Sequence, residues 1–386
     1  MLPIQLLDET QYDQIMNKTV IPALSAHLTE FDLPAMGGGT IRCRFYEAKS
    51  ARKCVVISHG FCESGLKFQE IVWYLLAQGV SVLCPDHRGH GHSLREGSRD
   101  GTIVYIQHFD DYAQDLCAAA LSVRDKLPAD CEMLLLGHSM CGAIAARVLE
   151  LYPNFFARCV LSSPMLSMNT APATPSLGLL LSGFFVLTGQ GKRRFWVQKP
   201  YSPEEKFEAS CCTSPERLAW YAALRRDNPA LRTNAASYRW IWESLRAQKR
   251  ILKPEELAKI QTPTLVMQAE WDALVRPEGQ EAFVRSVECA HLCRVSGVKH
   301  EIYRSPMRSC GPICKLCSAS CWTVRFRKTL PKHDEKRPDM LRPLYLNLSL
   351  IQQQAIRFPA NGKAELFQQS AAGSIFRHGF RLQEGD

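Results

Sequence analysis

The sequence predicts an α/β fold in which a mostly parallel central sheet is interrupted by an inserted helical cap. Three observations carry this. Short apolar runs alternate with helix-like stretches through the first half of the chain, the alternation lapses for about a hundred residues after Ser163-Pro164, and it then resumes at Thr264. Sheet, insertion, sheet fits one interrupted core better than two sequential domains, and at 386 residues such a core is within the size of a single α/β unit.

The elements follow in order. Two alternating segments flank Gly37-Gly38-Gly39 and read as a hairpin whose second strand covers residues 40–46. Strands are expected at 54–57, 81–84, 133–136 and 159–161, with helices between them at about 66–78, 109–126 and 140–152. The sheet therefore begins antiparallel and becomes parallel. In the insertion the composition turns to proline, aromatic and basic residues, with helical stretches at 214–226 and 238–249 and an apolar run at 177–187. A strand at 264–267, a helix near 277–288 and a strand near 292–295 complete the core. The expected divisions are core 1–164, cap 165–261, core 262–306, a basic cysteine-rich insertion 307–338, a last core helix 339–358 and a tail 359–386.

Composition excludes several classes. Hydrophobic content of 46% and charged content of 22% are those of a globular chain, which rules out collagen, coiled coil and wholesale disorder. The net charge of +9 is concentrated in residues 307–338, which carry +6; the remaining +3 does not make a nucleic-acid surface. No stretch reaches the roughly 18 to 20 apolar residues of a spanning helix. The opening Met1-Leu2-Pro3-Ile4-Gln5-Leu6-Leu7-Asp8-Glu9 lacks a basic leader, which places the expected location in the cytoplasm. Most of the sixteen cysteines sit singly in apolar runs, where a free thiol acts as a small hydrophobe, so no disulfide framework is expected.

The residues that could carry chemistry lie at strand ends. Leu134-Leu135-Leu136-Gly137-His138-Ser139-Met140-Cys141-Gly142 is a strand run, a G-x-S and a small-residue helix start. A serine on such a turn is held in a strained backbone that projects its hydroxyl from the sheet, making Ser139 the candidate nucleophile. The usual pattern is G-x-S-x-G; Cys141 at the fifth position implies a tighter turn or a slightly displaced serine. Ser58-His59-Gly60-Phe61 also follows a strand and precedes a helix, so the backbone amides of Phe61 and Met140 are the candidate oxyanion donors. Asp272 and His300 follow in the order Ser, Asp, His, each just after a resumed strand, and their spacing of 28 residues leaves room for a helix and a strand between them. An imidazole is needed because a serine hydroxyl is a poor nucleophile near neutral pH, and a carboxylate is needed to orient it. Glu270 is the alternative acid.

Here the residues resemble the serine hydrolases of the α/β-hydrolase fold, in particular the monoglyceride lipase and lysophospholipase group. Asp86-His87-Arg88-Gly89-His90-Gly91-His92-Ser93 is similar to that group's D-x-R-G-x-G-x-S loop, whose arginine and glycines read as turn builders. The cap sequences Ser214-Pro215-Glu216-Arg217, Arg226-Asp227-Asn228-Pro229 and Ser237-Tyr238-Arg239-Trp240-Ile241-Trp242-Glu243-Ser244 resemble the bacterial lysophospholipases of the L-two type. The resemblance spans residues 26–306 and the expected last helix. It implies hydrolysis of one fatty acyl ester of a lysophospholipid or monoacylglycerol, without cofactor, by a triad of Ser139, Asp272 and His300. A small lipid ester is then the partner, and nothing in the sequence speaks to the number of subunits. The 177–187 run followed by Lys192-Arg193-Arg194 reads either as a packed cap helix with a solvated loop or as a peripheral contact with the inner face of a membrane. Two other functions fit the same residues: a serine peptidase like the proline iminopeptidases, and a catalytically dead lipid-binding or interaction protein.

Residues 307–338 depart from the family. Cys310, Cys314, Cys317 and Cys321 have spacings that can hold a metal, but no other feature supports one, and the segment reads as a surface insertion or an error in the translated gene. It begins close enough to His300 to threaten that residue's placement.

Overall fold

A computed structural model describes residues 6–97 and 100–306; the cysteine cluster, the expected last helix and the tail lie outside the described residues. Eight strands form one sheet: β1 (Leu28–Pro34), β2 (Thr40–Tyr46), β3 (Lys53–Ser58), β4 (Ser81–Pro85), β5 (Glu132–His138), β6 (Arg158–Ser162), β7 (Thr264–Trp271) and β8 (Ala290–Lys299). Their spatial order is β1-β2-β4-β3-β5-β6-β7-β8. β1 and β2 pair antiparallel, β2 joins β4 antiparallel, and every pairing from β4 onward is parallel. The Gly37-Gly38-Gly39 hairpin is as expected, all three glycines having positive φ.

The central strands are buried on both faces, which is why they read as continuous apolar runs. Because successive side chains alternate, Cys54, Val56, Leu135 and Leu161 enter one core while Val55, Ile57, Leu134 and Val160 enter the other. The first core is closed by α2 (Asp110–Ser122) and α3 (Met140–Leu151), the second by α1 (Gln69–Ala77) and by an N-terminal helical segment contributing Tyr12, Met16, Val20 and Leu24. Helix α3 is apolar almost all round and buried almost all round, as a helix wedged between sheet and cap must be.

Between β6 and β7 the chain leaves the sheet to form α4 (Pro175–Leu187), α5 (Pro215–Asp227) and α6 (Tyr238–Ile251), then returns; α7 (Pro277–Ser286) links β7 to β8. Thr174, Ser214 and Ser237 cap the three cap helices with their hydroxyls. Two of the sequence expectations shift. β8 runs well past 292–295, to Lys299, across a register shift after Val295. The helical N-terminal segment was not expected; it is tied to the cap by Arg217, which bonds Glu70 at 2.8 and 2.9 Å and also Glu9.

Candidate active site

Ser139 sits between the end of β5 and the start of α3 with φ 55° and ψ −118°, a conformation costing a non-glycine residue about 1–3 kcal/mol. The surroundings hold it there. Its N–H donates to Ser162 O (3.0 Å), and its carbonyl accepts from Gly142 N and Met165 N (2.8 Å each). Glycine is required on both sides: a Cβ on Gly137 would lie 2.6 Å from the Cys141 carbonyl oxygen, and one on Gly142 would lie 2.3 Å from Pro164 Cβ. The contact that bars a helix side chain thus falls on Gly142, against Pro164 in the loop after β6, rather than on position 141. This frees Cys141 to carry a side chain, and its buried thiol donates to the His59 carbonyl in the loop after β3.

His300 lies just past β8, and Asp272 just past β7. His300 Nδ1 and Asp272 Oδ2 are 2.7 Å apart. The other carboxylate oxygen accepts from Leu274 N (2.9 Å) and Val275 N (3.0 Å). Burial pushes the Asp272 carboxyl up, but the His300 hydrogen bond and charge, with these two amides, outweigh it and hold the group below its ordinary value. An ionised carboxylate only accepts, so Nδ1 carries the proton and Nε2 is left as the basic nitrogen. Nε2 is buried and has no hydrogen-bond partner among the described residues. Glu270, the alternative acid, is exposed and accepts from Gly297 N at 2.7 Å instead.

The serine and histidine loops are joined through β6. Ser162 accepts from the Ser139 amide, and the neighbouring Ser163 hydroxyl donates to the His300 carbonyl at 2.8 Å. The His138 and His300 rings lie 5.0 Å apart. His300 keeps its carboxylate at 2.7 Å, and residues 307–338 lie outside the described residues.

Phe61 lies in the loop after β3, half-buried, its ring 4.2 Å from Trp240 of α6 and 5.8 Å from His90. Behind it Glu63 accepts from Gly60 N (2.6 Å) and Tyr303 OH (3.0 Å) and pairs with Lys67 (2.7 Å). Lys67 also bonds Glu301 (2.6 Å), the residue after His300. Glu63 and Lys67 are buried and Glu301 is nearly so. Burial raises Glu63 and Glu301, but the Lys67 ammonium wins and holds both carboxyls low; that pair in turn keeps Lys67 charged despite its own burial. This network was not foreseen, since its bonds join residues up to 240 positions apart.

The Asp86–Ser93 loop builds its turn as expected. Asp86 is fully buried, bonds Arg44 (3.0 Å) and the amides of Gly65 and His92, and leaves no space for a Cβ on Gly91. Arg88 is neutralised by Asp115 (2.7 Å). Of the basic loop, Arg194 is a structural clamp on Asp100 (2.7 Å) and Thr102 (2.8 Å) rather than a solvated cation.

A mostly parallel sheet, a serine on a strained strand-to-helix turn and a cap inserted between β6 and β7 define an α/β-hydrolase-fold protein. Residues 49–306 match the family described as Serine aminopeptidase, S33, and the chain belongs to this family of serine hydrolases. The chain is 29% identical over 255 residues to a probable lysophospholipase L2 of Haemophilus influenzae, covering 66% of this chain and 78% of that one. It is 26% identical over 265 residues to a monoacylglycerol lipase of Mycolicibacterium smegmatis (66% and 83%). It is 32% identical over 147 residues to the monoglyceride lipase of Homo sapiens (37% and 46%). Among solved structures, a thermostable carboxyl esterase from Bacillus coagulans aligns with a TM-score of 0.61 at 16% identity, covering 73% of this chain and 94% of that one. A soluble variant of the Saccharomyces cerevisiae monoglyceride lipase aligns with a TM-score of 0.56 at 17% identity (74% and 92%). At these identities the structural likeness speaks to the fold.

Proposed function

We propose that this protein hydrolyses a carboxylic ester of a single-chain lipid, a lysophospholipid or monoacylglycerol, through an acyl-enzyme. Ser139 attacks the acyl carbonyl while His300 Nε2 takes its proton, and Asp272 holds the tautomer and stabilises the imidazolium. The amides of Phe61 and Met140 bind the oxyanion, His300 returns the proton to the departing glycerol oxygen, and water repeats the sequence to release the fatty acid. The observation that carries this is the Asp272–His300 pair with its buried Nε2 unpartnered among the described residues, its loop tied through Ser162 and Ser163 to that of a serine at positive φ.

Lipid as substrate is supported by the names of the relatives and by the cap. On α4, Leu177, Leu180, Phe184 and Leu187 are more than half exposed, Leu187 to 85%, and Trp196 and Val197 extend the patch beyond the exposed Lys192 and Arg193. An apolar face edged by cations suits peripheral contact with an anionic membrane surface, at the inner face of the membrane in a cytoplasmic protein. No helix among the described residues is long and apolar enough to cross a membrane.

The family's description favours a second reading, an aminopeptidase. Such an enzyme must neutralise the substrate's ammonium with a carboxylate, and the two acids beside the site are already paired, Glu63 with Lys67 and Glu301 with both Lys67 and Arg304. Against an inactive scaffold stands the intact Asp272–His300 geometry. Fatty acid release from lysophosphatidylethanolamine and monoolein, set beside cleavage of a prolyl peptide amide, tests the reading. Turnover of the esters supports it, and turnover of the amide alone overturns it.

A further inference from the structure

Three arginines gather where the cap meets the loop after β4. Arg95 donates from Nη1 to Gly89 O (2.8 Å) and from Nη2 to Gly91 O (2.9 Å) and to Ala230 O of the cap (2.7 Å). Arg225 grips the next turn of the same cap segment, donating to Leu231 O (3.2 Å) and Thr233 O (2.9 Å). Arg232 donates to the carbonyls of Arg225 and Arg226 and shares the Tyr201 ring with Arg225.

Carbonyls position these guanidinium groups but do not neutralise them. Among the described residues Arg225 alone has a carboxylate partner, Glu205 at 2.6 Å, and neither Arg95 nor Arg232 has one within ion-pair distance. Glu96, beside Arg95 in sequence, is held by Arg88 at 3.3 Å, and Asp86 by Arg44. Two half-buried cations are therefore unmatched. Of the five N–H groups of Arg95, three are committed, so about two remain for a ligand. The buried Thr233 hydroxyl in the same segment also lacks a partner among the described residues.

The cluster adjoins the reaction site. Gly89 and Gly91, which Arg95 grips, flank His90, whose ring touches Phe61 at 5.8 Å. The charges of Arg225 and Arg95 both reach Cys62, the residue after Phe61.

Building on the lipid-esterase reading above, we infer that Arg95, with Arg225 and Arg232, is a phosphate-recognition subsite that selects lysophospholipids over monoacylglycerols. A phosphodiester anion offers the guanidinium donors charge-assisted hydrogen bonds, whereas the hydroxyl of a monoacylglycerol leaves two charges unmatched.

The test compares kcat/KM for hexanoyl lysophosphatidylethanolamine and hexanoyl monoacylglycerol, both dispersed as monomers so that surface binding does not enter. Arg95→Gln lowers the ratio of phosphate to neutral substrate on the order of tenfold, and Arg95→Lys recovers part of it. A ratio unchanged within about twofold overturns the assignment. Should Arg95→Gln not fold, Arg232→Gln and the wild-type ratio between about 0.05 and 0.5 M salt serve instead: the ratio falls with screening if the inference holds and stays constant if it fails. Inhibition of both esters alike by inorganic phosphate, with no difference in ratio, assigns the cluster to free phosphate and also overturns it. Cleavage of neither ester overturns the esterase reading and the subsite with it; cleavage of both at an unchanged ratio overturns the subsite alone.

Discussion

His300 Nδ1 stands 2.7 Å from Asp272 Oδ2, and the second oxygen of that carboxylate is anchored by two backbone amides. The acid is thus fixed before the histidine is considered, which is the arrangement an orienting group requires. Asp272→Asn retains the shape but donates where it should accept, forcing the wrong imidazole tautomer. We expect kcat for ester hydrolysis to fall on the order of 10⁴-fold with the fold intact, checked by steady-state kinetics beside circular dichroism. A loss below about tenfold would mean that Asp272 does not orient the base.

The turn that holds Ser139 depends on Gly142. A methyl there would meet Pro164 Cβ at 2.3 Å, and the backbone of that proline leaves no flexible side chain to give way. Gly142→Ala should cost about 1–3 kcal/mol of stability by overpacking and impair activity by moving the serine, as read from urea unfolding and kcat. Cys141→Ala, which removes only the thiol's bond to His59, should keep most activity.

Lys67 balances two carboxylates, the buried Glu63 in the loop after β3 and Glu301 beside His300. Lys67→Met strips the buried Glu63 of its close cation and leaves Glu301 with Arg304 alone, and breaking one side of such a network costs about 3–5 kcal/mol. The expected outcome is a large fall in the urea midpoint, together with reduced kcat because two site loops lose their common tie.

Four histidines are buried neutral around the site. Burial is the leading cause in each case, lowering His138 to about 4 and His90 to about 3, with His59 and His87 also below their ordinary value. The unfolded chain protonates them near pH 6.5 while the folded chain resists. The stability they confer is full above about pH 6.5 and is lost as pH falls toward 4, because there the unfolded state binds more protons. Each histidine that titrates only when unfolded contributes about 1.4 kcal/mol per pH unit. Melting temperatures should hold between pH 7.5 and about 6.5 and fall increasingly steeply from there to about pH 5; a flat profile throughout would contradict the buried neutral state.

The features readable from sequence were those with a local cause. Buried parallel strands announce themselves as apolar runs, and the Ser139 turn as G-x-S before an alanine-rich helix, so the sheet, the hairpin and the positions of Ser139, Asp272 and His300 at strand ends could all be read. Features fixed by distant partners could not. Lys67 looks like any helical lysine until Glu301 arrives from the far end of the chain, and Arg194 looks like a solvated cation until Asp100 is opposite it. The N-terminal helical segment was missed although Asp8 caps its start and Tyr12, Met16, Val20 and Leu24 recur every four residues, because its packing relies on the distant α1 and α5. Cys141 misled locally: the pattern asks for glycine at that position, but the space constraint sits one residue later.

One measurement reaches the centre of the account. A fluorophosphonate probe reacts with a serine only where a base and an oxyanion site activate it. Purified protein should be labelled at Ser139, shown by peptide mass spectrometry, with labelling absent in Ser139→Ala and strongly slowed in His300→Ala. Folded protein that takes up no label, or takes it up on another residue, would contradict the assignment of Ser139 as nucleophile and His300 as its base.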